Sequence, residues 1–386
     1  MSSHRRRIAL AVALGMLSPV YAPAVPAGAA AQCATPAGVY RDAAGWAQRI
    51  TDSSPIWPLT DGTGQLLAVL GTGVDADNGQ FRRGQVVTGS DTTDCDGRGT
   101  FAAGIVAAAP DPATTFSGMA PGTKILGIRY TQSTDGGTGA DEPAPGALAE
   151  AIDQAVDAGA DVILVVVPTS RTSRALDASV RDAVARGVVV VSPAVADRPG
   201  TLSYPTSLPG VIGVGAHNQA GAPVQGEAGD HLWIAAPGEG LVSTAAGARG
   251  RIGQRWDVDD PAYAAAYVAG AAVLIHAYRP SSTPAQVRDR LAATANRPPS
   301  GKRDPRLGWG VLDVRAAVTA ELPGATASGR PAEVAAPAVV VAAGPADPPA
   351  RQRLPGLLAL LGLFGAVLSM LTVTVIRRGR ARGWRP

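Results

Sequence analysis

The chain has 386 residues, of which 46% are hydrophobic and 17% are charged, so it carries enough apolar side chains to bury a sizeable core. Its formal net charge of +3 is unevenly distributed, because three arginines near the start and five near the end leave 26 basic and 31 acidic residues, about −5, for the rest of the chain. A mildly acidic middle between basic ends argues against nucleic-acid binding and indicates a membrane topology.

The first residues have the pattern of an export signal. Three arginines at positions 5 to 7 precede the apolar run 8–22, and small residues follow at 27–31. A basic start, an apolar run and small residues before a cleavage site are typical of a signal peptide. We therefore predict a signal peptide over residues 1–31, with a buried core helix as the alternative.

The chain has two cysteines, Cys33 and Cys95. In an exported protein an even pair of cysteines indicates a disulfide. The alternative is that Cys33, which lies close to the predicted cleavage site, carries a lipid. Gln32 argues against this alternative, because it is bulkier than the small residue that a lipidation site requires.

Short apolar runs alternate with helical stretches between residues 66 and 322, after an N-terminal extension over 32–65. Buried strands are predicted at 66–70, 124–130, 161–167, 188–191, 211–215 and 232–235, and helices at 99–109, 146–158, 174–186, 261–277 and 284–293. This alternation predicts an α/β fold, with a doubly wound, mostly parallel sheet and helices on both faces. Thr283, Pro284 and Gln286 form a predicted helix start with a capping box.

The C-terminal part predicts a membrane anchor. Residues 323–353 form a Pro/Ala-rich tether. Residues 354–376 contain 23 residues without a charge, which is long enough to cross a bilayer as a transmembrane helix. The arginines after it predict a cytoplasmic basic tail over 377–386, and therefore a single-pass protein of the cell membrane whose main domain is extracytoplasmic.

Three segments carry a resemblance to a known family. They are the strand and turn at 66–75, the segment Gly97-Arg98-Gly99-Thr100 before a helix of small residues, and the segment 260–270. In this order they resemble the three catalytic motifs of the subtilisin-like serine proteases (subtilases), and among these the mycosins of type VII secretion systems. Residues 46–49, 57–59, 119–122, 235–238 and 303–310 also match, and the two cysteines resemble a cysteine pair of the family.

The resemblance implies that Gly71, Arg98 and Ala262 occupy the positions of the catalytic aspartate, histidine and serine. A serine becomes a nucleophile only beside a base, and the base needs a group that orients it. The arginine cannot accept a proton, because its pKa lies above about 12. Loss of the serine or the histidine alone costs on the order of a million-fold in turnover. Ala196 is expected at the position of the asparagine that completes the oxyanion hole, which removes a further donor.

The altered site predicts an ion pair and a rebuilt helix start. Arg98 is expected either to pair with Asp257, Asp259 or Asp260 or to reach solvent, because a buried guanidinium requires a carboxylate. Asp260 is a favoured N-cap and Pro261 a favoured first helical residue.

Other residues offer little replacement chemistry. The four histidines, His4, His217, His231 and His276, lie on no motif that places them beside a serine, so a relocated triad is a minor alternative. Asp75 and Asp77 are interpreted as turn and surface carboxylates. We predict no metal site and no cofactor.

The resemblance therefore implies a membrane-anchored, mycosin-like pseudoprotease that is catalytically inactive and acts as a scaffold or partner of type VII secretion membrane components. Two alternatives stay open: an active or residual subtilisin-type serine endopeptidase, and a peptide-binding envelope adaptor unrelated to secretion. Binding of an extended peptide in the cleft is a further alternative. Such clefts bind peptides by strand addition, which requires backbone groups rather than a catalytic triad.

Overall fold

The computed structural model describes residues 33–87, 89–132, 143–195, 200–224, 226–298 and 300–322. The predicted signal peptide, tether, transmembrane helix and basic tail lie outside the described residues, and so does Ala196. The chain divides into a compact unit, Met1–Ala332, and a second unit, Glu333–Pro386, all of which is outside the described residues.

The core of the domain is a six-stranded sheet in the order β2-β1-β3-β4-β5-β6, in which every neighbouring pair is parallel. The strands are β1 (Leu66–Gly71), β2 (Lys124–Arg129), β3 (Val162–Val165), β4 (Val189–Pro193), β5 (Ile212–His217) and β6 (Leu232–Pro237). All six predicted strands are present, with ends that differ by at most two residues.

Both faces of this sheet are buried, which explains why its strands are continuous apolar runs. In β1, Leu67 and Val69 point into one hydrophobic cluster, and Ala68 and Leu70 point into the other. Successive side chains of a strand alternate between faces, so an apolar residue is needed at every position of a doubly covered strand.

Helices cover the two faces of the sheet. The helices are α1 (Trp46–Ile50), α2 (Arg98–Ala107), α3 (Pro145–Asp157), α4 (Arg174–Ala185), α5 (Ala264–Tyr278), α6 (Pro284–Thr294) and α7 (Val314–Thr319). Helices α3 and α4 pack on one face, and α2, α5, α6 and α7 belong to the cluster on the other. The predicted doubly wound α/β fold is confirmed. The capping box at Thr283 and Gln286 is also present.

Several elements were not predicted. Strands β7 (Leu241–Thr244) and β8 (Gln254–Val258) form an antiparallel hairpin, and α1 and α7 are short helices. The helix predicted from residue 261 begins with a 3-10 turn at Pro261–Tyr263, and α5 follows from Ala264.

One described helical stretch is long and apolar enough to cross a membrane by length and composition, namely Pro261–Tyr278. It is 83% buried inside the domain. It therefore forms the core of the fold, beneath the sheet face that also carries α2.

Candidate functional site

The three predicted triad positions lie at the end of β1, the start of α2 and the turn before α5. The backbone N–H of Gly99 donates a hydrogen bond to the Thr72 hydroxyl (3.1 Å), which ties the end of β1 to the start of α2. A Cβ added at Gly99 would lie 1.8 Å from the carbonyl oxygen of Gly73, so only glycine permits this approach. An ion pair between Arg98 and Asp260 ties α2 to the third segment. The structure thus brings the three segments to one place.

Arg98 is held by two carboxylates. Its Nη1 lies 3.1 Å from Oδ2 of Asp260, and its Nε lies 3.1 Å from Oδ1 of Asp96. The Arg98 side chain is 23% exposed and that of Asp96 only 6%. A guanidinium in such surroundings is stable only when carboxylates and hydrogen bonds compensate its lost hydration. Asp96 is thus a second partner of Arg98, in addition to the predicted segment 257–260.

The other two candidate partners of Arg98, Asp257 and Asp259, have different surroundings. Asp259 accepts a hydrogen bond from the backbone N–H of Gly240 (2.7 Å), which fixes the start of β7. Asp257 is exposed and has a left-handed backbone with φ of 54°. Among the three candidates, Asp260 forms the ion pair with Arg98.

Asp260 also begins the helix that follows. Its Oδ1 accepts a hydrogen bond from the backbone N–H of Ala262 (2.9 Å), and Pro261 occupies the first position of the 3-10 turn. One carboxylate therefore joins the arginine of α2 to the helix start. Ala262 is 5% exposed and presents only a methyl group at this position.

Gly71 leaves little space for a side chain. A Cβ added there would lie 3.3 Å from Cβ of Val166, which is tighter than an ordinary carbon–carbon contact. The Gly71 carbonyl accepts hydrogen bonds from the backbone N–H groups of Tyr130 and Thr131. The space beside Gly71 is thus bordered by an apolar residue that follows β3.

The loop before Arg98 is fixed by Asp94, which sequence reasoning missed. Its Oδ1 accepts from the Gly97 N–H (2.8 Å), and its Oδ2 accepts from the N–H (2.8 Å) and the hydroxyl (2.6 Å) of Thr100. The carboxylate is buried, and three hydrogen bonds compensate the loss of water. Asp94 lies four residues before α2, whose N-cap position is Gly97, so a search for a capping residue directly before the helix does not find it.

The loop is also joined to the N-terminal segment. Cys33 and Cys95 form a disulfide, and the backbone N–H of Ala34 donates to the carbonyl of Cys95 (2.7 Å). The sulfur of Cys33 is bonded to Cys95 in this structure, so it does not carry the lipid of the alternative prediction. The segment after Cys33 continues to Gly38, which bridges Gln254 of β8.

The backbone just beyond β3 is already paired within the chain. The Tyr130 hydroxyl donates to the Val167 carbonyl, and Thr169 exchanges two backbone hydrogen bonds with Tyr204 (2.9 and 2.7 Å). Pro168 between them has no N–H to donate. Burial raises the pKa of the Tyr130 phenol, so it stays protonated and remains a donor.

Among the described residues, neither His217 nor His276 forms a hydrogen bond with a serine hydroxyl. His217 is almost fully buried, with Nδ1 2.8 Å from the Asn218 carbonyl and its ring against Trp46 (centroids 5.6 Å apart). Burial lowers the pKa of both His217 and His276, although the hydrogen bond to Asn218 opposes the shift at His217. Both rings are therefore biased towards the neutral form by their apolar surroundings.

His231 belongs to a polar cluster whose order is wrong for a triad. Its Nε2 lies 3.0 Å from Oε2 of Glu227, and Oε1 of Glu227 accepts from the hydroxyl and the N–H of Ser203. Burial opposes ionisation of Glu227, but hydrogen bonds from His231 and Ser203 outweigh it and lower the pKa of the carboxyl. The carboxylate sits between histidine and serine, whereas a triad needs the histidine in the middle.

Comparisons with known proteins agree with this fold. The model of the subtilase family (Peptidase_S8) matches residues 62–310. The chain belongs to the subtilase family. Mycosin-4 of Mycobacterium tuberculosis (strain ATCC 25618 / H37Rv) is 34% identical to it over 336 residues, 75% of this chain and 72% of that protein. Mycosin-3 of the same strain is 32% identical over 393 residues, 84% of this chain and 82% of that protein.

Solved structures give the same answer. The MycP3 protease from the type VII (ESX-3) secretion system superposes with a TM-score of 0.65 at 30% identity, covering 75% of this subtilase and 93% of that chain. A chain in an intact ESX-5 inner membrane complex superposes with a TM-score of 0.65 at 26% identity, covering 90% of this subtilase and 94% of that chain. This subtilase is therefore mycosin-like.

Proposed function

We propose that this mycosin-like subtilase is a pseudoprotease that acts as a scaffold or partner of a type VII secretion system. The observation that carries the proposal is the occupation of the site by Gly71, by the ion pair of Arg98 with Asp260, and by the methyl group of Ala262. Each of the three positions assigned by the family resemblance lacks the group that acyl transfer requires.

The chemistry that remains at these positions is structural. Arg98 stays protonated at any pH the fold tolerates, so it cannot take a proton from a nucleophile. Its two carboxylates, Asp96 and Asp260, hold its charge in place and make it unavailable for an incoming oxyanion. The arginine therefore fastens α2 to the turn before α5, where an active enzyme would need a mobile proton.

The proposed setting comes from the relatives. Mycosin-like chains are present in structures of an intact ESX-5 inner membrane complex and of its periplasmic assembly. Together with the predicted signal peptide and the predicted helix at 354–376, these relatives support an extracytoplasmic domain anchored by a single span in the cell membrane. We propose that secretion components of that membrane are its partners.

We do not extend the proposal to peptide binding beside β3. The Val167 carbonyl and both backbone groups of Thr169 are bonded to Tyr130 and Tyr204. A peptide adding a strand there would first have to break these hydrogen bonds, and strand addition draws its affinity from free backbone groups.

The proposal is tested by serine labelling and co-purification. Full chain in detergent is incubated with a fluorophosphonate probe and with casein, and the same chain is used to recover partners from solubilised membranes. We expect no labelling, no casein cleavage and recovery of type VII membrane components. The Ala262→Ser variant should also remain unlabelled, because it restores a hydroxyl without a base. Labelling of the natural chain would support the active-protease alternative, and a lack of secretion components would contradict the scaffold role.

A further inference from the structure

A cluster of tryptophans and arginines lies along the β6 edge of the sheet. Trp233 of β6 and Trp309 are adjacent, since the Trp309 N–H donates to the Trp233 carbonyl (2.9 Å), and their ring centroids lie 6.1 Å apart at 72°. Both rings are partly exposed. Residues 309–312 thus follow the edge of β6 and leave this aromatic pair at the surface.

Three arginines stack against the two rings. The guanidinium carbon of Arg288 lies 4.4 Å from the Trp233 centroid, that of Arg297 lies 5.3 Å from the Trp309 centroid, and that of Arg303 lies 5.7 and 6.0 Å from the two. Stacking uses the flat face of a guanidinium, so its N–H edge can still bind carboxylates. In Arg303 part of that edge already donates to the backbone carbonyls of Asp230 and Leu232. We call Trp233, Trp309, Arg288, Arg297 and Arg303 the Arg–Trp face.

The Arg–Trp face has more positive charge than its own acids balance. Arg303 pairs with Asp230, whose side chain is fully exposed, and Arg288 contacts Asp289 at 3.4 Å. Among the residues that the structure describes, Arg297 has no carboxylate within ion-pair distance. Exposed ion pairs such as that of Asp230 are weak, so they yield readily to a better acidic partner.

The sequence around Arg297 makes this contrast sharper. Residues 33–322 contain 23 basic and 29 acidic residues, a net charge of −6. The ten residues 297–306 nevertheless contain four cations and one acid. Lys302 and Arg306 are exposed and have no carboxylate partner in the described part of the chain. A cationic surface on an acidic domain is complementary to acidic partners and repels the same face of a second copy.

We propose that the Arg–Trp face binds an acidic segment of a partner protein. This inference rests on the proposed role in a secretion complex and names the surface that would make the contact. A protein is favoured over a lipid surface because the cations are mostly arginines fixed on tryptophan rings. Such fixed forks suit bidentate carboxylates, and Trp and Arg are enriched in the centres of protein interfaces.

The test uses the full chain in its native membranes. The double variant Arg297→Glu/Arg306→Glu reverses two cations that have no carboxylate partner among the described residues. Arg306→Glu alone changes an exposed side chain that forms no hydrogen bond, ion pair or ring contact with them. The matched control is Arg83→Glu. Arg83 is exposed and lies three residues before Val86, and Val86 bridges β2 at the opposite edge of the sheet. Five strand spacings put the two edges roughly 24 Å apart. Partners are recovered from detergent at low and high salt, and the unfolding midpoint of each variant is measured.

The border of the face is also probed by a benzoylphenylalanine photo-crosslinker at position 306, which is three residues from both Arg303 and Trp309 in the chain. Position 83 is the control, and the crosslinked peptides are identified by mass spectrometry. We expect recovery of secretion components to fall at least about tenfold in the double variant and to weaken with salt, while Arg83→Glu leaves it unchanged. The adduct at position 306 should be an acidic peptide of a secretion component.

Three outcomes would overturn the inference: recovery unchanged in the double variant and in Arg306→Glu, an adduct only with lipid, or an adduct with a peptide of no net negative charge. If the natural chain recovers secretion components but these face variants behave like the control, the scaffold role stands and the Arg–Trp face alone is refuted. If the natural chain recovers no secretion component, the proposed function fails, and this inference fails with it.

Discussion

The ion pair between Arg98 and Asp260 predicts a measurable coupling between α2 and the turn before α5. Asp260→Ala removes a hydrogen bond to a charged group, about 1.5–3 kcal/mol, and a helix cap, about 1 kcal/mol, so we expect a loss of roughly 2–4 kcal/mol. Asp260→Asn keeps a capping oxygen and should cost about half as much. Arg98→Met keeps the apolar stem but removes the cation that lies beside two carboxylates, one of which, Asp96, is only 6% exposed.

The assay is a double-mutant cycle of Arg98→Met and Asp260→Asn. Equilibrium urea unfolding of the full chain in detergent, followed by tryptophan fluorescence, gives the free energy of unfolding of each variant. Because both side chains are about a fifth exposed, we expect a coupling energy of about 1–2 kcal/mol, smaller than that of a fully buried pair. In a cycle with Asp259→Asn the coupling should be below about 0.5 kcal/mol, since Asp259 binds the Gly240 N–H instead. A coupling to Asp260 no larger than this control would refute the view that the arginine fastens the two elements.

Three further predictions concern the same unit. Removing the disulfide with Cys33→Ala/Cys95→Ala, which opens a loop with a sequence separation of 62, should lower the free energy of unfolding by about 4 kcal/mol in the chain-entropy model; an unchanged urea midpoint under oxidising conditions would contradict it. Burial lowers the pKa of His217, so below about pH 6.5 this histidine binds more protons in the unfolded chain than in the folded one. The free energy of unfolding should therefore fall as the pH drops. His217→Leu should flatten this pH dependence, and an identical slope in the variant would argue against the prediction. Gly71→Asp should cost about 1–3 kcal/mol through its contact with Val166, as read from thermal unfolding, and no loss of stability would show that Val166 gives way freely.

Local sequence patterns predicted most of the sheet because its strands are buried on both faces. Continuous apolar runs such as that of β1 have few other stable uses, and the helices between them carry their own start signals. The hairpin of β7 and β8 escaped prediction for the opposite reason. Its second strand, Gln254–Val258, is largely polar, and it is stabilised by contacts with residues far away in sequence, such as Gly38.

The sequence by itself predicted, through its family resemblance, that the three motif positions hold Gly71, Arg98 and Ala262, because the motifs are local in the chain. Only the tertiary structure decided which carboxylates hold Arg98. Asp257, Asp259 and Asp260 are equivalent as charges, but the backbone turns Asp259 towards Gly240 and Asp260 towards Arg98. Asp96, two residues before Arg98 in the chain, also lies within ion-pair distance of the guanidinium. Ion pairs require positions within about 4 Å, and the course of the chain sets those positions.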